Sequence, residues 1–119
     1  MDSIDGFGNN FQVALKAGVN QYELNLEKPA LLRVTWGENS DTPAGPFDGV
    51  NIAALFTGPE GQIYGGGGTQ KTGSIDSDNQ TVPAGRYVLT LLPTSSADFK
   101  QGKLEATNVT LSNQCSYPR

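Results

Sequence analysis

The sequence predicts an all-β domain, an antiparallel β-sandwich or jelly roll of seven to eight short strands. Three observations carry that expectation. Apolar residues recur at every second position, clusters of Gly, Pro, Asn and Asp cut the alternation into short segments, and Leu15 to Leu26, interrupted by Gly18, shows no apolar repeat at i, i+3 and i+4. A period of two is the signature of strands with one wet face and one buried face. Evenly spaced short strands of that kind need a second layer to cover their apolar side.

The strands follow in order. Phe11, Val13 and Leu15 alternate with Gln12 and Ala14, and residues 17–20 form a turn. Tyr22, Leu24 and Leu26 make the next stripe, ended by Lys28-Pro29; Leu32, Val34 and Trp36 make the third. Residues 37–49 change to Gly, Asn, Ser, Asp and Pro and read as a long connection. Val50, Ile52, Ala54 and Phe56 alternate up to the turn Thr57-Gly58-Pro59-Glu60-Gly61, and residues 62–64 form a short return strand. The Gly65 to Gly68 run reads as a mobile loop, because glycine loses more backbone entropy on ordering than any other residue. Residues 72–75 read as a weak edge strand. Val82-Pro83-Ala84-Gly85 is a turn into the strongest strand, Tyr87, Leu89 and Leu91, and the last strand runs from Lys103 to Leu111 with a bulge near Thr107 and Asn108.

At 119 residues the chain reads as one domain, residues 11–112, between a flexible N-terminal arm (1–10) and a C-terminal tail (113–119). The polar arm resembles a segment that orders only against a neighbouring molecule, which makes a homo-oligomer joined through the arm one expectation. Eight basic residues are scattered among twelve acidic ones, for a net charge of -4, and that argues against a nucleic-acid partner. A single cysteine, Cys115, excludes an intrachain disulfide. Residues 1–10 hold no apolar run of signal-peptide length, and no segment reaches the length of a membrane span.

Tyr22-Glu23-Leu24-Asn25-Leu26 with residues 31–36, then Asp48 through Phe56 with Gly58-Pro59-Glu60-Gly61, then Val82-Pro83-Ala84-Gly85-Arg86-Tyr87-Val88-Leu89 form a series of motifs. In that order they resemble the bacterial pre-peptidase C-terminal domain family, over residues 22–91. The resemblance implies a jelly-roll β-sandwich and a secreted setting beside a catalytic domain. The chain departs from the family in carrying only Asp48 where the central strand usually pairs two acidic residues.

The chemistry-bearing residues are few. With no histidine, Ser-His-Asp and Cys-His catalysis and most zinc sites drop out, and the chain reads as a non-enzyme. Cys115 has no charged neighbour in sequence to depress its pKa. Tyr22, Trp36 and Tyr87 share the parity of the aliphatic stripes and read as core, whereas Phe47 and Tyr64 flank the central hairpin. Phe47, Tyr64, Gly66 and Gly67 therefore form the expected ligand-binding set, aromatic platforms beside a bare backbone. No cofactor is expected. Calcium stands as an alternative to a solvated acidic turn at Asp76 and Asp78, with Asp48, beside Glu38 and Asp41, as a second group. Two functions stay open: a binding module for carbohydrate or a cell-surface polymer, with a carbohydrate or protein surface as partner, and a structural subunit such as a phage decoration or spike protein or a filament subunit. An extracellular or virion location is favoured over the cytoplasm.

Overall fold

The structure is a computed structural model and describes residues 1–5, 10–16, 18–38, 51–69, 72–93 and 107–116. Among the described residues nine strands make one hydrogen-bonded sheet: β1 (Asp2–Ser3), β2 (Asn10–Leu15), β3 (Asn20–Leu26), β4 (Leu31–Glu38), β5 (Asn51–Thr57), β6 (Ile63–Thr69), β7 (Thr72–Asp76), β8 (Gly85–Pro93) and β9 (Thr107–Ser116). Their order across the sheet is β1-β3-β8-β5-β6-β7-β4-β9-β2. All neighbours run antiparallel except β1, which lies parallel to β3. The all-β expectation holds, with one parallel pair in place of a wholly antiparallel sheet.

The sheet curls into two layers at β7. That strand pairs with β6 only at Gly67–Ser74 and Gly68–Gly73, while five of its residues pair with β4. It is therefore an interior strand and not an edge. Between the layers lie the residues that the alternation singled out: Leu24, Val34, Leu89, Leu91 and Leu111 are fully buried, and Tyr22, Trp36, Ile52, Phe56 and Tyr87 almost so. Burial of each such side chain contributes about 1.5–3 kcal/mol, which offsets the entropy of ordering the strands. The Tyr87 hydroxyl donates to the Pro83 carbonyl (2.6 Å), tying the strand to the turn that delivers it in the manner of a tyrosine corner.

Three further regions depart from the sequence reading. The glycine run is strand, not loop: β6 pairs residue by residue with β5 from Ile63 opposite Thr57 to Thr69 opposite Asn51. Ladder bonds and close packing offset the entropy cost. A Cβ on Gly66 would lie 2.6 Å from the Ser74 carbonyl oxygen and 3.0 Å from the Ile75 Cβ, so β7 approaches this closely only because Gly66 has no side chain. Secondly, residues 1–5 do not wait for a neighbouring molecule. Asp2 and Ser3 pair with Tyr22 and Glu23, Ile4 N–H donates to the Glu23 carbonyl (2.9 Å), and the Ile4 side chain is buried. Thirdly, β9 continues through Asn113 and Cys115, inside the segment expected to be a tail. Asn113 is fully buried, and its Nδ2 donates to the Ile4 and Asp5 carbonyls, which stitches the N-terminal segment to the opposite layer. The bulge expected near Thr107 and Asn108 is absent, since these residues pair one-to-one with Leu15 and Ala14 and the register runs unbroken to Ser112 opposite Asn10; residues 94–106 lie outside the described residues.

Candidate binding surface

Strand parity sets what each layer shows to water. In β5 and β8, Ile52, Ala54, Phe56, Tyr87, Leu89 and Leu91 turn inward, leaving Ala53, Leu55, Thr57, Val88, Thr90 and Leu92 outside. The register places Leu55 beside Thr90 and Gly65, Ala53 beside Leu92 and Gly67, and Thr57 beside Val88 and Ile63. Leu92, Val88 and Ile63 thus occupy diagonal positions around Leu55, within reach of its side chain. Five large apolar residues are exposed among the described residues: Leu55 (38%), Leu92 (36%), Ile63 (67%), Val19 (67%) and Met1 (60%). Three of them are this cluster. The other two immediately precede β3 and β1 of the same layer, and the Met1 sulfur lies 4.0 Å from Arg86 Nη2.

Among the described residues one ion pair crosses this face, Arg86 Nε to Glu23 Oε1 at 2.8 Å, and its charges cancel. Gln21, Asn25 and Thr90 supply uncharged polar groups, with Gln21 Nε2 donating to Thr90 Oγ1 (3.3 Å). At the rim, Asp5 accepts from Ser3 Oγ (2.6 Å) and from the Asn25 backbone N–H (2.6 Å) and side chain (3.0 Å). Partial burial acts to raise the Asp5 carboxyl, and these hydrogen bonds outweigh it, holding the group below its ordinary value.

The opposite layer is unlike it. Its outer face carries Asn10, Gln12, Thr110, Ser112, Gln114, Thr35, Ser74 and Arg33, with Ser112 Oγ bonded to Asn10 Oδ1. An open notch of about 190 Å³ lies at one end of this face, between Leu31, Arg33, Asp76, Asn79 and Gln114. Arg33 and Asp76 face each other there at 3.7 Å. Such a polar, open recess lacks the apolar walls of small-molecule pockets.

The expected site residues do not form one surface. Phe47 and Asp48 lie outside the described residues, as do Asp41 and the Glu38 side chain. Tyr64 and Gly66 stand opposite Phe56 and Ala54 on the inner face of β6, and Gly67 has the outer parity. Tyr64 is half-buried against the core. It also stands near Tyr87, whose phenol is pushed up to about 12 by burial first and then by Tyr64 and Glu60. Asp76 ends β7 and Asp78 belongs to the turn Ser77–Gln80 that follows, closed by Gln80 N–H donating to the Ser77 carbonyl (2.9 Å). Asp78 and Asn79 take φ of 54° and 59°, the left-handed region that Asp and Asn tolerate better than other side chains, and Asp76 Oδ1 accepts from Asp78 N–H (2.7 Å). The geometry of the turn by itself explains these residue types. Among the described residues no group of three or more acidic, cysteine or histidine side chains is placed to hold a metal ion. Cys115 sits in β9 opposite Leu32, half-buried.

Sequence reasoning missed the Leu55 cluster. The available signal was an apolar side chain at a wet-face position, Leu55 between Ala54 and Phe56 and Leu92 after Leu91.

Fold and surfaces define a class: a two-layered β-sandwich domain that presents broad outer faces. Its fold is that of the pre-peptidase C-terminal domain of a collagenase from Bacillus anthracis, which matches 95% of this chain and 93% of its own at a TM-score of 0.64 and 10% identity. The chain is also similar to PliG, a periplasmic inhibitor of g-type lysozyme from Salmonella Typhimurium, with a TM-score of 0.51, 16% identity and coverage of 98% and 99%. The resemblance in the motifs thus holds as a likeness of fold and reaches well beyond residues 22–91. No protein-family model matches the sequence, and neither does any curated protein.

Proposed function

We propose that this chain is a non-catalytic binding module, working outside the cytoplasm, that docks a folded protein through the outer face of β3, β8, β5 and β6. The observation that carries the reading is the grouping of Leu55, Ile63 and Leu92 on one sheet face, while the other outer face is polar. Contiguous exposed apolar surface of this kind marks interaction sites, and each Å² of it withdrawn from water contributes about 25 cal/mol. The similarity to PliG supports the reading, since a periplasmic inhibitor of lysozyme is a protein of this fold that acts on another protein.

The test is capture from extracts of the source organism on immobilised wild type, on Leu55→Lys/Leu92→Lys and on the polar-face variant Thr35→Lys/Ser112→Lys. The reading expects a protein band held by the wild type and by the polar-face variant and lost from the first. Equal capture by all three would reject the face.

Carbohydrate or a cell-surface polymer, stacked on Tyr64, is the second reading, favoured by the partial exposure of that ring. A glycan array on which Tyr64→Ala binds like the wild type would dispose of it.

A further inference from the structure

The edge of β6, which shares Ile63 with the outer face, carries an inference from backbone pairing rather than from that face. Gly58 N–H donates to the Gln62 carbonyl (2.9 Å) one step beyond the Thr57–Ile63 pair, and that bond fixes which positions alternate along the hairpin. Tyr64, Gly66 and Gly68 then exchange bonds with β5, while Ile63, Gly65 and Gly67 turn their N–H and C=O groups the other way. Gly67 meets Ser74, but β7 then departs to β4, where Ile75 and Asp76 pair with Val34 and Arg33. Among the described residues no strand covers Ile63 and Gly65 on that side. Two N–H donors and two carbonyl acceptors face outward there.

Sheet edges are ordinarily guarded by charge, proline or a bulge. Here Ile63-Tyr64-Gly65 has no charge and no proline, and the one-to-one register with β5 leaves no bulge.

We propose that this edge pairs with the same edge of a second copy of the chain, antiparallel about a twofold axis at Tyr64. Ile63 of one copy then lies opposite Gly65 of the other, twice, and the four outward groups of each copy find partners in four hydrogen bonds. Tyr64 meets its own counterpart at the intervening non-hydrogen-bonded position, where Cα atoms approach to about 4.5 Å. The shapes fit as well. Ile63 is 67% exposed, and a Cβ on Gly65 would meet nothing within 4 Å, so the isoleucine of one copy covers the bare glycine of the other. An uncharged segment pairs with itself without repulsion. The N-terminal arm, which closes on β3 of its own chain, has no part in this contact.

The contact is small, so the expected dissociation constant is about 0.1–1 mM. Sedimentation velocity over a concentration series reads it. Gly65→Pro removes the outward N–H and leaves the β5 ladder untouched, and should weaken dimerisation at least about tenfold. Gly65→Lys, which places a charge in open space, should do the same, and keeps the test valid if the proline variant fails to fold. Leu55→Lys/Leu92→Lys should dimerise like the wild type, separating this edge from the proposed docking face. A wild type that stays monomeric at about 1 mM, or dimers that survive both Gly65 variants, or dimers lost only with the Leu55/Leu92 variant, would overturn the proposal.

Discussion

Neighbouring glycines in β6 should answer oppositely to the same substitution. Gly65→Ala adds a methyl group where nothing stands within 4 Å, so its effect is on the unfolded chain: less backbone freedom to lose, and a gain of about 0.5 kcal/mol. Gly66→Ala gains the same entropy but sets the methyl 2.6 Å from the Ser74 carbonyl oxygen and 3.1 Å from the Ile75 Cα. Both are backbone atoms, so relief requires moving β7 away from β6. Overpacking of this kind costs about 1–3 kcal/mol, and the net loss comes to about 1–2 kcal/mol. The two variants should therefore differ by about 2 kcal/mol, roughly 1 M in the midpoint of a urea melt for a domain this size. Equal midpoints would mean that residues 65–68 are the loop the glycines suggest and not the strand described above.

Other consequences follow from the same packing. Gly73→Ala should destabilise by about 1–3 kcal/mol and shift the Trp36 fluorescence, because a Cβ there would run into the indole ring; unchanged fluorescence and stability would contradict it. Tyr87→Phe should cost about 1 kcal/mol through the lost bond to the Pro83 carbonyl, read by thermal or urea unfolding. Tyr87 titrates at about 12 when folded and near 10.0 when unfolded, so the stability it lends is complete below pH 10 and drains away as pH rises to about 12. Asp5 has the opposite sign: its folded value lies below the ordinary 3.8, so its contribution is present above that pH and is lost as the solution is acidified through the folded value. The acid limb of a pH–stability curve should flatten in Asp5→Asn. Calcium at Asp76 and Asp78 is tested by melting with calcium and with a chelator; identical midpoints are expected, since the Asp76 carboxylate already accepts from the Asp78 backbone N–H.

The layers were legible because burial and alternation are the same fact seen from two sides. Tyr22-Leu24-Leu26, Leu32-Val34-Trp36 and Tyr87-Leu89-Leu91 could face only one way. Where that signal lapses, the reading lapsed with it. Asp2-Ser3 is too short to show a period, Asn113 to Ser116 has no apolar side chain but Cys115, and the glycines of β6 have no side chains to alternate. Their order comes from neighbours in space: Ser74 against Gly66, and Ile4 and Asp5 against Asn113. The site suffered for a related reason. Tyr64 and Gly67 are three apart in the chain, which in a loop would be one surface and in a strand is two. Leu55 and Leu92 are distant in sequence and meet only through the β5–β8 register.

The claim that matters most is that the apolar outer face is where a partner sits. Amide chemical-shift mapping of the isotope-labelled chain, titrated with the captured protein, tests it directly. The account predicts shifts at Ala53, Leu55, Ile63, Val88, Thr90 and Leu92, with Gln12, Thr35, Thr110 and Ser112 unmoved. Shifts confined to the second group would contradict it.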